Sequence, residues 1–144
     1  MMDHVKTRPI SFRPSASLDS RLDSMRRRTG IPKSRLVELL ADEAERTRRY
    51  PGIGFRGPEH RRRPWVFGSP FDVWEVVQAW QDLEQDAGKV QNQLDVTDHQ
   101  LRIALAYYAE FPDEIDDALV LARRTSTELE SAYPFIEVLR VPEQ

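Results

Sequence analysis

The stretch RPISFRP, residues 8–14, constrains the fold of this chain more than any other. Ile10 and Phe12 alternate with Pro9, Ser11 and Arg13, which is the period-2 signature of a half-buried strand. Almost everything after it, apart from residues 50–67, reads as helix. A lone short strand leaves its backbone N–H and C=O groups unpaired and is marginal without a mate. The fold has to supply that mate.

The next residues narrow the choice. In SASLDSRLDSMRRRTG, Leu18, Leu22 and Met25 fall on one helical face. Ser15 or Ser17 can cap its start, Arg26, Arg27 and Arg28 suit its C-terminal end, and Gly30 can stop it. In IPKSRLVELLADEAERTRRY, Leu36, Val37, Leu40, Ala41 and Ala44 form a second stripe that Pro51 ends. Strand, helix, turn and helix make the ribbon-helix-helix arrangement. The only suitable mate for the strand is then its own copy in a second chain. Two strands form an antiparallel ribbon, and four helices bury Ile10, Phe12, Leu18, Leu22, Met25, Leu36, Val37 and Leu40 in a shared core. About fifty residues alone bury too little surface to fold well, so the dimer is expected to be obligate.

Strand parity carries a functional expectation. With Ile10 and Phe12 inward, Pro9, Ser11 and Arg13 face outward. A two-stranded ribbon fits the DNA major groove, where outward side chains reach base edges. Base reading is expected from Ser11 and Arg13, with Lys6 and Arg8 assisting. The free amides at the start of the second helix, helped by Lys33 and Ser34, suit a phosphate.

Charge supports a polyanion at this end. Residues 1–63 carry 16 Lys+Arg against 8 Asp+Glu, a balance of +8, while residues 64–144 carry 5 against 16, a balance of −11. The front half attracts nucleic acid, and the acidic back half suits a basic protein partner. The 144 residues allow one ordinary domain or two small ones. There is no cysteine, which excludes disulfides, thiolate zinc sites and cysteine nucleophiles and fits a reducing cytoplasm. No apolar run approaches the ~18–20 residues that span a bilayer, and the first thirty residues lack an apolar signal core. The expectation is a soluble cytoplasmic protein.

Residues 50–67, YPGIGFRGPEHRRRPWVF, hold three of the six glycines and three of the ten prolines. Ile53 and Phe55 alternate, GPEH signals a turn, and Trp65, Val66 and Phe67 follow, so a short β-hairpin is expected. Arg61, Arg62 and Arg63 extend the basic half. From Ser69 the chain is helical again. Phe71, Val73, Trp74, Val77 and Trp80 lie mostly on one face, with Ser69 and Asp72 a cap-like start and Pro70 suited to the first helical position. Trp74 and Trp80 are expected in a core or dimer interface. Val90, Leu94 and Val96, then Leu101, Ala104, Leu105 and Tyr108, describe two short helices around a tight turn, with Thr97 capping the second. Pro112 breaks this pattern, and a further helix restarts with acids in its first turn. The tail PFIEVLRVPEQ alternates and reads as extended.

Catalytic and cofactor signatures are lacking. His4, His60 and His99 lie far apart, and no P-loop, G-x-G-x-x-G or G-x-S-x-G is present. Asp113, Glu114, Asp116 and Asp117 are explained by a helix N-terminus. No catalytic residue, metal site or cofactor is expected, and an enzyme is the weakest class.

Two resemblances sharpen these expectations. ISFRPSASLDSRLDSMRRRTGIPKSRLVELLADEAE resembles the Arc/MetJ/CopG ribbon-helix-helix family of DNA-binding proteins over roughly residues 5–48. Pro32 departs from the usual serine or threonine cap, and Pro9 occupies an outward strand position. YPGIGFRG, GSPFDVWEVVQAW and LDVTDHQLRIALAYYAEFPDEID, within residues 50–117, resemble a small helical domain of bacterial antitoxins of the VapB class, long catalogued as of unknown function. That resemblance implies a homodimerising helix-turn-helix core, a PIN-like ribonuclease toxin as partner, and a C-terminal segment that seizes it.

The expected architecture is mainly α. Residues 1–49 form a ribbon-helix-helix DNA-binding and dimerisation domain. Residues 50–117 form a hairpin plus a helix-turn-helix-like antitoxin domain. Residues 118–144 form a C-terminal helix and a toxin-binding tail. Arg123, Arg124, Tyr133, Phe135, Ile136, Leu139 and Arg140 are the candidate toxin contacts, the arginines entering an acidic active-site groove and the apolar residues serving as anchors. The function expected is an antitoxin that neutralises its toxin and represses its own operon by binding operator DNA, as a homodimer or higher homo-oligomer. The alternative is a stand-alone dimeric regulator whose second domain only oligomerises.

Overall fold

The computed structural model describes Val5 and residues 8–135. It is mainly helical, with one small antiparallel sheet among the described residues. In chain order the elements are α1 (Ala16–Thr29), α2 (Lys33–Arg49), β1 (Ile53–Arg56), β2 (Arg63–Val66), α3 (Val73–Asp82), α4 (Ala87–Leu94), α5 (Asp98–Glu110) and α6 (Pro112–Ala132). No helix of the described residues is long and apolar enough to cross a membrane.

The chain divides into two compact units between Ala41 and Asp42, inside α2. The sequence boundary at 49/50 followed the end of that helix. The last turns of α2 belong with the second unit because Glu43 pairs with Arg62, Arg46 with Glu114 and Arg49 with Glu110. Local periodicity gives no sign of such distant pairs.

In the first unit, Ser15 rather than Ser17 caps α1, its Oγ accepting from the Leu18 N–H at 3.1 Å. Gly30 ends the helix in the left-handed region at φ 74°, which a side chain would resist, and its N–H donates to Arg26 O at 2.9 Å. The Thr29 hydroxyl accepts from the Ile31 N–H at 3.2 Å and fixes the turn into α2. Leu22 and Leu36 are buried, Leu18, Met25 and Val37 are half-buried, and Leu40 is exposed.

The strand read over Pro9–Arg13 does not form within the chain. Residues 8–15 carry no regular structure, Ile10 is 93% exposed and Phe12 is 56% exposed. A strand is defined by its mate, and among the described residues the only paired strands are β1 and β2, which pair with each other. Within one chain, therefore, Ile10 and Phe12 are not core residues.

In the second unit the expected hairpin is present, with Ile53 opposite Val66, Gly54 opposite Trp65, Phe55 opposite Pro64 and Arg56 opposite Arg63. Gly57 opens its loop at φ 103°, and a Cβ there would stand 2.7 Å from Arg61 O. The start of α3 differs from the sequence reading. The cap is Asp72, whose N–H donates to the Glu75 carboxylate at 3.0 Å, so Pro70 lies outside the helix. Ser69 is used earlier, donating to Val66 O at 2.8 Å and accepting from the Phe71 N–H at 3.1 Å. The two hydrogen bonds hold the turn between β2 and α3.

The helices then build one core. Val73, Val76 and Val77 of α3, Val90 of α4, Leu101, Ala104 and Tyr107 of α5, and Ile115 and Leu119 of α6 are buried with Ile53 and Val66 of the sheet. Each large apolar side chain removed from water contributes about 1.5–3 kcal/mol. Trp74 and Trp80 are half-buried against this core, within their own unit. The turn from Asp95 to Thr97 joins α4 to α5. Asp95 is left-handed at φ 53°, and Val96 is buried in the turn rather than continuing α4. Thr97 and Gln100 cap α5 reciprocally: Thr97 Oγ1 accepts from the Gln100 N–H at 3.1 Å, and Gln100 Oε1 accepts from the Thr97 N–H at 2.9 Å. Pro112 stands at the start of α6, with Asp113 and Glu114 in its first turn.

Candidate nucleic-acid and protein interfaces

The irregular segment before α1 leaves Arg8, Pro9, Ser11 and Arg13 exposed, and Ser34 is exposed at the start of α2. Lys6 lies outside the described residues. Arg8 and Arg13 have no ion-pair partner among the described residues. Among the described residues Arg21 and Arg27 hydrogen-bond to the hydroxyls of Ser17 and Ser24, and Arg28 has no partner. These guanidinium groups are uncommitted cations on a unit whose residues 1–41 carry 9 Lys+Arg against 4 Asp+Glu.

Lys33 is in a different state. Its ammonium donates to Asp19 at 2.6 Å and lies 3.0 Å from Asp23. The hydrogen bonds to Asp19 and Asp23 hold it above the usual lysine range, and the same lysine holds Asp23 below the usual carboxylate range. A lysine so clasped ties α1 to α2 and has little charge left for a phosphate. The three free amides at the start of α2 keep that capacity.

The hairpin arginines are also largely committed. Arg56 and Arg63 stand opposite each other across the sheet, where like charges repel. Asp72 is buried between them, accepting from Arg56 Nε at 2.7 Å on one oxygen and from Arg63 Nε at 2.7 Å on the other. Arg62 donates to Glu43 at 2.7 Å and to the carbonyls of Gly57 and Phe55. Of the Arg61–Arg63 run, only Arg61 is without a partner among the described residues. The run is a structural clamp more than a phosphate contact.

A second network ties α2 to the α5–α6 corner. Arg46 donates to Tyr107 Oη at 2.8 Å and to Glu114 at 2.7 Å, and its guanidinium lies 3.9 Å from the Phe111 ring centroid. Tyr107 in turn donates to Glu114 at 2.7 Å. Burial pushes the Tyr107 hydroxyl up, and the Glu114 charge adds to it. Burial alone would lower Arg46, but Glu114 and Tyr107 outweigh it and raise it. Beside them Glu110 accepts from both Arg49 and Tyr50. Sequence reasoning read Asp72 as part of a helix cap and Glu114 as a helix N-terminal acid without their ion pairs, and it passed over Arg46, Arg56 and Tyr107. One local signal existed: Arg56 and Arg63 flank a turn symmetrically, which places them opposite each other and demands a carboxylate nearby.

Beyond Leu119 the outer surface of α6 is exposed. Among the described residues Arg123 has no partner, and Arg124 holds an i,i+4 pair with Glu128 at 2.9 Å. Tyr133 and Phe135 are exposed, their rings edge to face at 6.0 Å. The tail read as extended begins with a turn at Pro134 and Phe135, and its remainder, with Ile136, Leu139 and Arg140, lies outside the described residues. Among the described residues no group of three His, Cys, Asp or Glu is placed to hold a metal ion. In the acidic cluster, Glu114 serves Arg46 and Tyr107, and Asp116 accepts from Tyr108 at 2.7 Å. The arrangement is suited to binding macromolecules through exposed cations and apolar side chains.

No protein-family model, curated protein or solved structure matches this chain.

Proposed function

We propose that the protein is an antitoxin-type regulator. Its first unit pairs with a second copy through residues 9–13 and binds operator DNA, and its C-terminal helix and tail capture a PIN-like ribonuclease. The observation that carries this reading is the exposure of Ile10 and Phe12 in a segment without regular structure that leads into the capped helix α1 and then α2. Two large apolar side chains at alternate positions, left exposed among the described residues, support a strand completed by another copy. Ribbon pairing turns Ser11 and Arg13 toward the major groove, beside the free amides of α2 and Ser34. Lys33 contributes through the α1–α2 clasp, and the uncommitted Arg8, Arg27 and Arg28 add phosphate attraction. Leu22, Leu36 and Leu40 complete the shared core. At the other end, Arg123, Arg124, Tyr133 and Phe135 present cations and aromatic anchors to a protein partner. These exposed residues favour an antitoxin over a stand-alone regulator, which has no use for them.

Two assays test the reading on the full chain. Gel shift with the DNA upstream of its own reading frame should show binding that falls steeply as salt rises. Arg13→Ala should weaken it by about 1–3 kcal/mol, the scale of one base contact. Co-expression with the neighbouring gene product should rescue growth. Removing residues 133–144, which spares the buried Leu119, should abolish rescue while leaving DNA binding intact. No shift with operator DNA refutes the regulator, and growth independent of the intact protein refutes the antitoxin.

A further inference from the structure

Residues 116–124 of α6 read DDALVLARR, two acids and two arginines placed symmetrically about an apolar centre. Only part of that centre serves the core of its own unit. Leu119 is buried, and Ala118 and Ala122 are half-buried. Val120 is 63% exposed and Leu121 is 58% exposed. At 3.6 residues per turn, Asp117, Val120, Leu121 and Arg124 share the face opposite Ile115 and Leu119. Asp117 and Arg123 have no partner among the described residues. Arg124 holds only its exposed pair with Glu128, which water screens.

We propose that this outer face of α6 is a homotypic interface, pairing antiparallel with the same face of a second copy about a twofold axis between Val120 and Leu121. Asp117 and Arg124 each lie three and a half residues from that axis, about 5 Å along the helix. The twofold therefore brings Asp117 of each copy level with Arg124 of the other, while Val120 meets Leu121. Parallel pairing would set acid on acid and arginine on arginine, so charge selects the antiparallel form. The same argument selects the occupant. A uniformly acidic or basic partner would match one half of the run and be repelled by the other, whereas a second copy matches both, as an isologous interface requires. The contact is small and weak by itself, and it strengthens where another interface already links the copies. It does not rest on the toxin reading. Where both hold, the second copy and the toxin compete for Arg123 and Arg124.

The absence of cysteine makes a direct test available. In the full chain, Val120→Cys places a thiol beside the axis, and Thr127→Cys places one on the same outer surface but about 20 Å from its counterpart across the pair. A short bismaleimide at low salt should link Val120→Cys into dimers and leave Thr127→Cys monomeric. Adding Asp117→Arg to Val120→Cys should lower the yield about tenfold through like-charge repulsion. Adding Arg124→Asp as well should restore it, because the swapped charges complement each other again. All positions are exposed, and circular dichroism should give each variant the same helix content. Equal linking at positions 120 and 127, or a double swap that fails to restore the yield, overturns the proposal.

Discussion

The two units solve the burial problem in opposite ways. From Asp42 onward the second unit closes on itself, with a continuous core running from Ile53 to Leu119 and a sheet whose strands both find mates in the chain. The first unit buries Leu22 and Leu36, leaves Ile10 and Phe12 exposed, and links α1 to α2 through a lysine shared by two aspartates. A small unit with so little apolar burial has little to set against the entropy of ordering its chain. The contrast shows where burial is short: among the described residues the first unit has little core, whereas the second has a full core and leaves Val120 and Leu121 of α6 exposed.

The largest expected effect comes from breaking each unit at its apolar weak point. Leu101→Ala should destabilise the second unit by about 2–5 kcal/mol, read as a lower denaturant midpoint that does not change with protein concentration. Phe12→Ser should instead unfold the first unit, abolish DNA binding, and remove any concentration dependence of its melting. If Phe12→Ser leaves melting and DNA binding as they were, the first unit does not depend on a second copy.

Next in size is the Asp72 clamp. Asp72→Ala removes the carboxylate from between Arg56 and Arg63 and leaves them facing each other, and should cost about 2–3 kcal/mol. Asp72→Asn should cost less, and added salt should recover part of the loss by screening the two arginines. A smaller effect, about 1–2 kcal/mol, is expected for Tyr107→Phe, which strips one hydroxyl from between Arg46 and Glu114 but keeps the ring against Phe111.

The smallest effect is the pH dependence of the first unit. Asp23 is held low by its hydrogen bond from Lys33, so its contribution is present above the ordinary carboxylate value of 3.8 and is lost as pH falls through its lower folded value. Lys33 is held high by Asp19, so its contribution is complete below 10.5 and is lost as pH rises through its higher folded value. First-unit melting should be flat between those limits, and Lys33→Met should abolish both arms. An unchanged profile in Lys33→Met would mean that the clasp contributes nothing in solution.

Local signals in the sequence determined the elements of this protein. Gly30 stops α1 because it tolerates a left-handed φ, Thr97 caps α5 through its hydroxyl, and the glycines and prolines around residues 51–58 turn the chain into a hairpin. Each of these depends on neighbours a few residues away, which periodicity and capping rules read well. Tertiary structure alone decided which charges are spent. Lys33 meets Asp19 across fourteen residues, Arg62 meets Glu43 across nineteen, and Arg46 meets Glu114 across sixty-eight. Ion pairs at such separations depend on how elements pack, and no local pattern encodes that packing. The same packing showed the hairpin arginines to be mostly clamps and left Val120 and Leu121 facing solvent on α6. Among the described residues RPISFRP meets no strand to pair with, because the two strands of the sheet are already paired with each other.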